Sequence, residues 1–419
     1  MPSESKQKDE KEKKMTGQGT CIAEELVERS NAAFSSDDEA LLEAANTTFN
    51  TKISFRKRLF IGIAIVCAFF ISFSLGKYSV NPVDLMHSLG VAFVQFGLTN
   101  MVHMLEAWQS LTGAEPVIDP QSLLQVKAEL ESTLDPKLEL VLYNIRFPRI
   151  LVVMLVGAAL STAGASYQGM FKNPLTSPDL LGASAGASLG ACIALLMNQG
   201  GVVVQISAFA GGMIAVGIAV GLNRFVNYEP TLGLILAGIL VGSLFNAGMS
   251  LVKYVADAND QLPAITFWLM GSFAAIDTDA LLRCLIPLII GFVILLSQSW
   301  KLNVLSFGDE EARTLGINTG RTRLLVILGA TLLTSISVAM AGIVGWVGLV
   351  IPHLARAIVG PNYRVLLPTS IFIGAVYLLI VDNFARLLTT VEIPIGILTA
   401  IMGVPFFVFI FKRNMKGWK

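Results

Sequence analysis

The residues best suited to chemistry in this chain are few, and they lie apart. Gly308-Asp309-Glu310-Glu311-Ala312 sets three carboxylates behind a glycine, and Leu315-Gly316 closes the segment. Carboxylates in a first helical turn suit its positive dipole end, and a glycine can stop the helix, so the stretch reads as a short helix or, equally on spacing, as a solvated loop. Gly316-Ile-Asn-Thr-Gly320-Arg-Thr322 has the glycines of a phosphate loop at the wrong spacing and lacks the lysine that reaches the phosphates, so it reads as a turn. The three histidines (His87, His103, His353) are dispersed, and the four cysteines (Cys21, Cys67, Cys192, Cys284) form no CxxC pair. Neither a metal centre, a cofactor nor a disulfide framework is expected.

The elements around these residues are apolar. Hydrophobic residues make up 54% of the 419, only 14% are charged, and the mean hydropathy is +0.67. Formal net charge is +0, so nothing argues for a nucleic-acid partner. About ten stretches approach the ~20 apolar residues needed to cross a bilayer. They are Leu59–Gly76, Arg149–Phe171, Leu180–Met197, Val202–Leu222, Thr231–Val252, Ala280–Ser297, Leu324–Met340, Ile343–Ala357, Leu366–Val381 and Pro394–Phe411. The seventh and eighth almost touch, so a tight hairpin at Ala341-Gly342 is expected. The chain is therefore read as an all-α polytopic membrane protein, and membrane lipid is its solvent.

Cations choose the orientation. Lys52, Arg56, Lys57 and Arg58 precede the first span and Lys412, Arg413, Lys416 and Lys419 follow the last, which places both termini in the cytoplasm. The polar segment 1–58 reads as a disordered cytoplasmic tail, 59–413 as the membrane domain and 414–419 as a second tail. The longest outer connection, Lys77 to Phe147, holds the moderately apolar Leu89–Leu105, read as an interfacial or externally packed helix within an insertion over about 89–136.

Glycines recur at helical spacing inside the spans: Gly182, Gly186 and Gly190 in the third, Gly238 and Gly242 in the fifth. Such faces let helix backbones approach closely in lipid, so these five are read as packing positions. Arg149-Ile-Leu-Val-Val echoes Arg323-Leu-Leu-Val-Ile, one starting a span from outside and the other from inside, which suggests an inverted repeat of the kind found in transporters. Span centres lack the ionisable groups of an ion-driven carrier. Asp382, Arg386 and Glu392 sit near outer span ends, where structural pairing and a role in a pathway are both open. With no nucleotide loop either, the energy source must belong to another subunit.

Several ordered blocks resemble the permease subunits of the iron-chelate and cobalamin family of ATP-binding-cassette importers. They are Ile145-Arg-Phe-Pro-Arg149 running into Val156-Gly-Ala-Ala-Leu160, Gly164 and Tyr167-Gln168-Gly169; Asn173-Pro174-Leu175 with Pro178, Leu180, Leu181 and Gly182; the Gly308 to Gly316 segment; Gly345-Trp-Val-Gly-Leu-Val-Ile-Pro-His-Leu-Ala-Arg356; and Glu392-Ile-Pro-Ile-Gly396 through Gly403-Val-Pro-Phe406. The likeness covers roughly Glu139 to Arg413.

That resemblance implies a ten-helix permease in the cell inner membrane, paired with a second permease copy or paralogue. Two cytoplasmic ABC ATPase subunits and an external solute-binding protein would complete the importer. No enzyme activity is expected of this chain. Gly308, Asp309, Glu310, Glu311, Ala312, Leu315 and Gly316 would form the coupling helix that docks in the ATPase. Arg146, Arg149 and Arg386 would meet acidic lobes of the binding protein, the alternative for each being a headgroup or snorkelling anchor. Thr231 matches a small polar gate position, but Leu232 departs from the cobalamin-type pattern. A ferric chelate is the expected cargo, with cobalamin or haem as alternatives.

Overall fold

The computed structural model describes residues 55–76, 82–112, 119–132, 136–226 and 230–415. The predicted polar tails lie outside these residues, except for Phe55–Arg58 and Asn414–Met415, which belong to helices. All described helices fall in one compact unit, Ile53–Val359 with Tyr363–Lys419; of the other, Met1–Lys52 with Gly360–Asn362, only the turn at 360–362 is described.

In chain order the helices are α1 (Phe55–Ser74), α2 (Pro82–Thr112), α3 (Pro120–Ser132) and α4 (Pro136–Glu139), which runs through a π-helical stretch, Leu140–Arg146, into α5 (Phe147–Met170). A 3-10 turn at Pro178–Leu181 precedes α6 (Ala183–Leu196), α7 (Gly201–Val226), α8 (Pro230–Val255) and α9 (Gln261–Met270). Then follow α10 (Thr278–Ser297), α11 (Ser299–Leu305), α12 (Asp309–Thr314), α13 (Thr319–Ala341), α14 (Val347–Val359), α15 (Tyr363–Leu387) and α16 (Ile395–Met415). Only helices and turns occur among the described residues, as expected where lipid offers backbone groups no hydrogen bonds.

Six helical segments, ending in or forming α5, α7, α8, α10, α13 and α15, are long and apolar enough to cross a membrane. Shorter apolar helices run over Gly62–Ser74, Ala183–Leu196, Val347–Val359 and Ile395–Val408. Each of the ten spans read from the sequence falls on one of these segments. The most apolar windows of α5 and α13 are 83% and 78% buried, against 33%, 28% and 33% for α7, α8 and α10. The first two are thus the axis of the bundle, and the other three turn most of their surface outward.

The central position of α5 follows from its small residues. A Cβ added at Gly157 would strike the Gly374 carbonyl of α15, and one at Gly164 the Gly348 carbonyl of α14. Ser161 Oγ donates to the Ser370 carbonyl across the same α5–α15 contact at 2.7 Å. In lipid, apolar burial gives little net drive between helices, so close backbone approach and interhelical hydrogen bonds carry the packing.

Three features differ from the sequence reading. Leu89–Leu105 is the middle of a longer helix, α2, which starts at Pro82 with Asp84 in its first turn. Tyr143 donates to the Ser88 carbonyl at 2.7 Å, tying α2 to the π-helical stretch. The tight hairpin at Ala341-Gly342 is instead an open break over 342–346, with Gly342 at φ +69° and Trp346 at φ +68°. The reason is α9, a helix in the connection between the fifth and sixth spans. Its end packs into that break: Ser272 N–H donates to the Ala341 carbonyl at 2.9 Å, Ile395 N–H donates to the Gly271 carbonyl at 3.0 Å, and a Cβ at Gly342 would meet the Trp268 carbonyl.

Gly164→Leu is expected to destabilise the fold at or above the upper end of the roughly 1–3 kcal/mol typical of overpacking, because a backbone carbonyl cannot move aside. Gly217 is exposed on α7 with nothing within 4 Å of an added Cβ. Gly217→Ala should leave stability unchanged or raise it by about 0.5–1 kcal/mol. Thermal unfolding of the two variants in detergent, followed by gel filtration, checks the contrast.

Candidate functional site

Charge gathers at both ends of the bundle. At one end α12 lies across the surface. Gly308 opens it at φ 151°, where an added Cβ would collide with the Glu311 carboxylate, and Gly316 follows it at φ +77°. Gly316 N–H bonds to the Arg313 carbonyl at 2.9 Å and Ile317 N–H to the Ala312 carbonyl at 3.0 Å, turning the chain back toward α13. Ala312 is fully buried against Val304, Leu305 and Ile317. The outward face carries Glu310, Glu311, Arg313 and Leu315, with Phe307 exposed just before it. The short helix expected from Gly308 to Gly316 is therefore present, and the stretch is not a loop.

The three acidic residues do not act alike. Asp309 is turned inward, with its Oδ2 2.7 Å and its Oδ1 2.8 Å from Arg323 Nη2. The Lys172 Nζ is 3.9 Å away. Arg323 Nη2 also donates to Thr231 Oγ1 at 3.2 Å, which joins the expected gate residue, in the first turn of α8, to the first residue of α12. Arg323 was not singled out from the sequence. Its one signal was a cation at the membrane edge of the seventh span, and the echo with Arg149 drew attention to the pattern around it rather than to its charge. The near-miss phosphate loop closes on itself: Asn318 Oδ1 caps α13 by accepting from Arg321 N–H at 2.9 Å.

At the opposite end, Arg149 lies between two carboxylates. Its Nη2 is 2.8 Å from Asp382 Oδ1, while Nη1 and Nη2 meet Glu392 Oε1 and Oε2 at 2.8 and 2.9 Å, a fork matched to a carboxylate. Arg386 Nε lies 3.0 Å from Asp382 Oδ2, and its Nη2 donates to Ser72 Oγ of α1 at 2.9 Å. Arg146 donates to the Phe73 carbonyl of α1. The cluster thus fastens the ends of α1, α5 and α15 to the connection before α16.

These are the three arginines expected to meet a binding protein, and each of them bonds inside the bundle. Arg146, Arg149 and Arg386 are only 4%, 6% and 6% exposed, and Asp382 is fully buried. Their guanidinium groups point into the bundle because buried carboxylates need cationic partners there.

The five glycines read as packing positions also divide. A Cβ at Gly186 or Gly190 would meet the α7 backbone at Gly211 or Ser207, and one at Gly238 the Leu180 carbonyl. Gly182 instead caps α6 in the left-handed conformation, φ +83°, and Gly242 has nothing within 4 Å. Gly182, Gly238 and Gly242 border a recess of about 440 Å³ between α6 and α8, whose polar lining includes Asp179, Ser184, Ser188, Ser243 and Asn246. Among the described residues no cluster of His, Cys, Asp and Glu could hold a metal ion.

Residues 63–413 match the FecCD transport family. The chain is similar to the molybdate import system permease protein MolB of Haemophilus influenzae, 39% identical over 330 residues, which are 77% of this chain and 97% of that protein. It is also 39% identical over 324 residues to the vitamin B12 import system permease protein BtuC of Salmonella choleraesuis, covering 76% of this chain and 94% of that one. A solved structure described as a metal-chelate type ABC transporter in an inward-facing conformation matches 86% of this chain and all (100%) of its own, with a TM-score of 0.69 and 34% identity.

Asp382→Asn should destabilise the protein by roughly 3–5 kcal/mol, since two buried guanidinium groups lose their shared carboxylate. Glu392→Gln should cost distinctly less, because Glu392 is 29% exposed and water can replace it. Unfolding temperatures and yields of the two purified variants provide the measurement.

Proposed function

Because the chain belongs to the FecCD transport family, we propose that it is the permease subunit of an ATP-binding-cassette importer, carrying a metal chelate inward with a ferric siderophore as the leading candidate. In this reading the importer lies in the inner membrane with both termini of this chain in the cytoplasm. Two ATPase subunits, a second permease copy or paralogue and an external solute-binding protein complete it. ATP is hydrolysed on the partner, and this chain supplies the path and the moving parts.

The observation that carries the reading is α12. It is a short helix set on the bundle end, with Glu310 and Glu311 outward and Phe307 and Leu315 exposed beside them, while Asp309 is bonded back to the bundle. A small surface with both charge and exposed apolar groups is suited to a protein partner: complementary charge orients the encounter and the apolar groups give it area. Cargo is argued from likeness. The metal-chelate type transporter that covers the whole of its own length supports a chelate. Molybdate is the second reading, favoured by 39% identity over nearly the whole of MolB. Cobalamin is less favoured, because Leu232 departs from that pattern.

Replacing Glu310 and Glu311 together by Lys is expected to abolish co-purification with the ATPase while leaving membrane insertion intact, since like charges facing a partner cost several kcal/mol. Unchanged assembly would reject the docking role of α12. In cells depleted of the chain, uptake of radiolabelled ferric chelates, molybdate and cobalamin should fall for the chelate alone. A selective loss of molybdate uptake would move the assignment to the second reading.

A further inference from the structure

Arg323 joins the start of α13 both to its neighbour in the chain, α12, and to α8, which is distant in sequence. It belongs to the first turns of α13, its Nη2 meets Asp309 at 2.7 and 2.8 Å, and the same nitrogen donates to Thr231 at 3.2 Å. Lys172, from the connection after α5, approaches the same aspartate at 3.9 Å. One half-buried carboxylate and one buried guanidinium thus tie α12, α8, α13 and the end of α5 into a single node.

The helices on either side of that node differ in how deeply they are buried. α13 is among the most deeply buried of the long helices and α8 is the least, with only 28% of its most apolar window covered. α12 rests on one apolar residue, Ala312, in a small cluster separate from the main core. A deeply buried α13 therefore carries the charge that connects two more peripheral elements. α8 also borders the recess between itself and α6, through Gly238, Ser243 and Asn246, so a tilt of α8 would reshape that recess.

The energetics make the link more than a contact. Arg323 is 8% exposed and has little water to fall back on. If α12 shifts and Asp309 moves away, the guanidinium is left with a hydroxyl in place of a carboxylate, a costly arrangement for a buried cation. Two responses limit the cost: α8 follows Arg323, or Arg323 follows Asp309 and releases Thr231. Either way, the position of α12 and the first turn of α8 are not independent.

We infer that Arg323 is a positioning residue that transmits displacement of α12 to the inner end of α8, with Asp309 as its input and Thr231 as its output. This rests on the reading of α12 as the ATPase-docking helix. A purely structural role would require only that Arg323 stabilise the fold, and would predict the same α8 behaviour in every folded variant.

The test uses the full-length permease purified with its ATPase and reconstituted in lipid vesicles. The reporter is Ser243→Cys, on α8 in the polar lining of the recess, in a chain whose Cys21 and Cys67 are serine. The readout is its rate of labelling by a water-soluble maleimide with and without trapped ATP. Coupling of the usual allosteric size predicts a nucleotide-dependent change of at least about fivefold with Arg323 present, and of less than about twofold in Arg323→Gln, with ATPase co-purification retained. Arg323→Lys should recover part of the response, since an ammonium keeps the charge that Asp309 needs but lacks the fixed, planar donors of the guanidinium. Thr231→Val, which removes only the output arm, should lose the response even if Arg323→Gln proves unstable. A wild-type response in Thr231→Val, or in assembled Arg323→Gln, overturns the inference. A chain with Arg323 intact that shows no nucleotide response, together with Glu310→Lys/Glu311→Lys protein that still co-purifies with the ATPase, overturns the docking reading and this inference with it.

Discussion

The bundle depends on backbone meeting backbone at positions without side chains. In lipid an apolar side chain gains little by leaving its surroundings, so helices must gain contact energy by approaching more closely than side chains normally allow. α5 does this along its length: Gly157 faces the Gly374 carbonyl, Gly164 the Gly348 carbonyl, and Gly169 the ring of Tyr363. The same device joins α6 to α7 through Gly186, Gly190 and Gly211. Each contact forbids a Cβ, which is why the axis of the molecule carries small residues at these positions and larger aliphatic residues of α7, α8 and α10 lie at the periphery.

Such smooth contacts fix distance better than they fix angle, and the charged nodes at the two ends supply the missing constraint. The end near α1 is a closed arrangement in which Arg149 and Arg386 share the buried Asp382 and Glu392 completes the fork. It fastens four segments, and no guanidinium faces outward. The α12 end is more open. Arg323 holds Asp309 and Thr231, while Glu310 and Glu311 remain in solvent. A clamped end opposite an end with exposed charge and a peripheral α8 is an asymmetry suited to a machine driven from one side.

Much of this was legible along the chain. The ten apolar stretches, the bends at Gly308 and Gly316 and the turn after them follow from residue type and spacing, because each reflects a local rule about solvent or dihedral angle. What was not legible depended on neighbours distant in sequence. Arg146, Arg149 and Arg386 look like surface cations when read one at a time. Only when α1, α5 and α15 come together does Asp382 lie beneath them, and a carboxylate with no water draws the guanidinium groups inward. The hairpin expected at Ala341-Gly342 failed for a similar reason. Nothing near those residues announces that Gly271 and Trp268 of α9 will fill the gap and hold it open.

By itself, then, the sequence determined that this is a helical membrane protein without a nucleotide loop of its own, bearing an acidic segment bounded by glycines between its sixth and seventh spans. Hydropathy, glycine and capping residues act over a few neighbours and can be read in order. Tertiary structure alone decided which charges face a partner and which face one another. That choice turns on desolvation, and whether a side chain keeps its water is settled by helices packed around it from elsewhere in the chain.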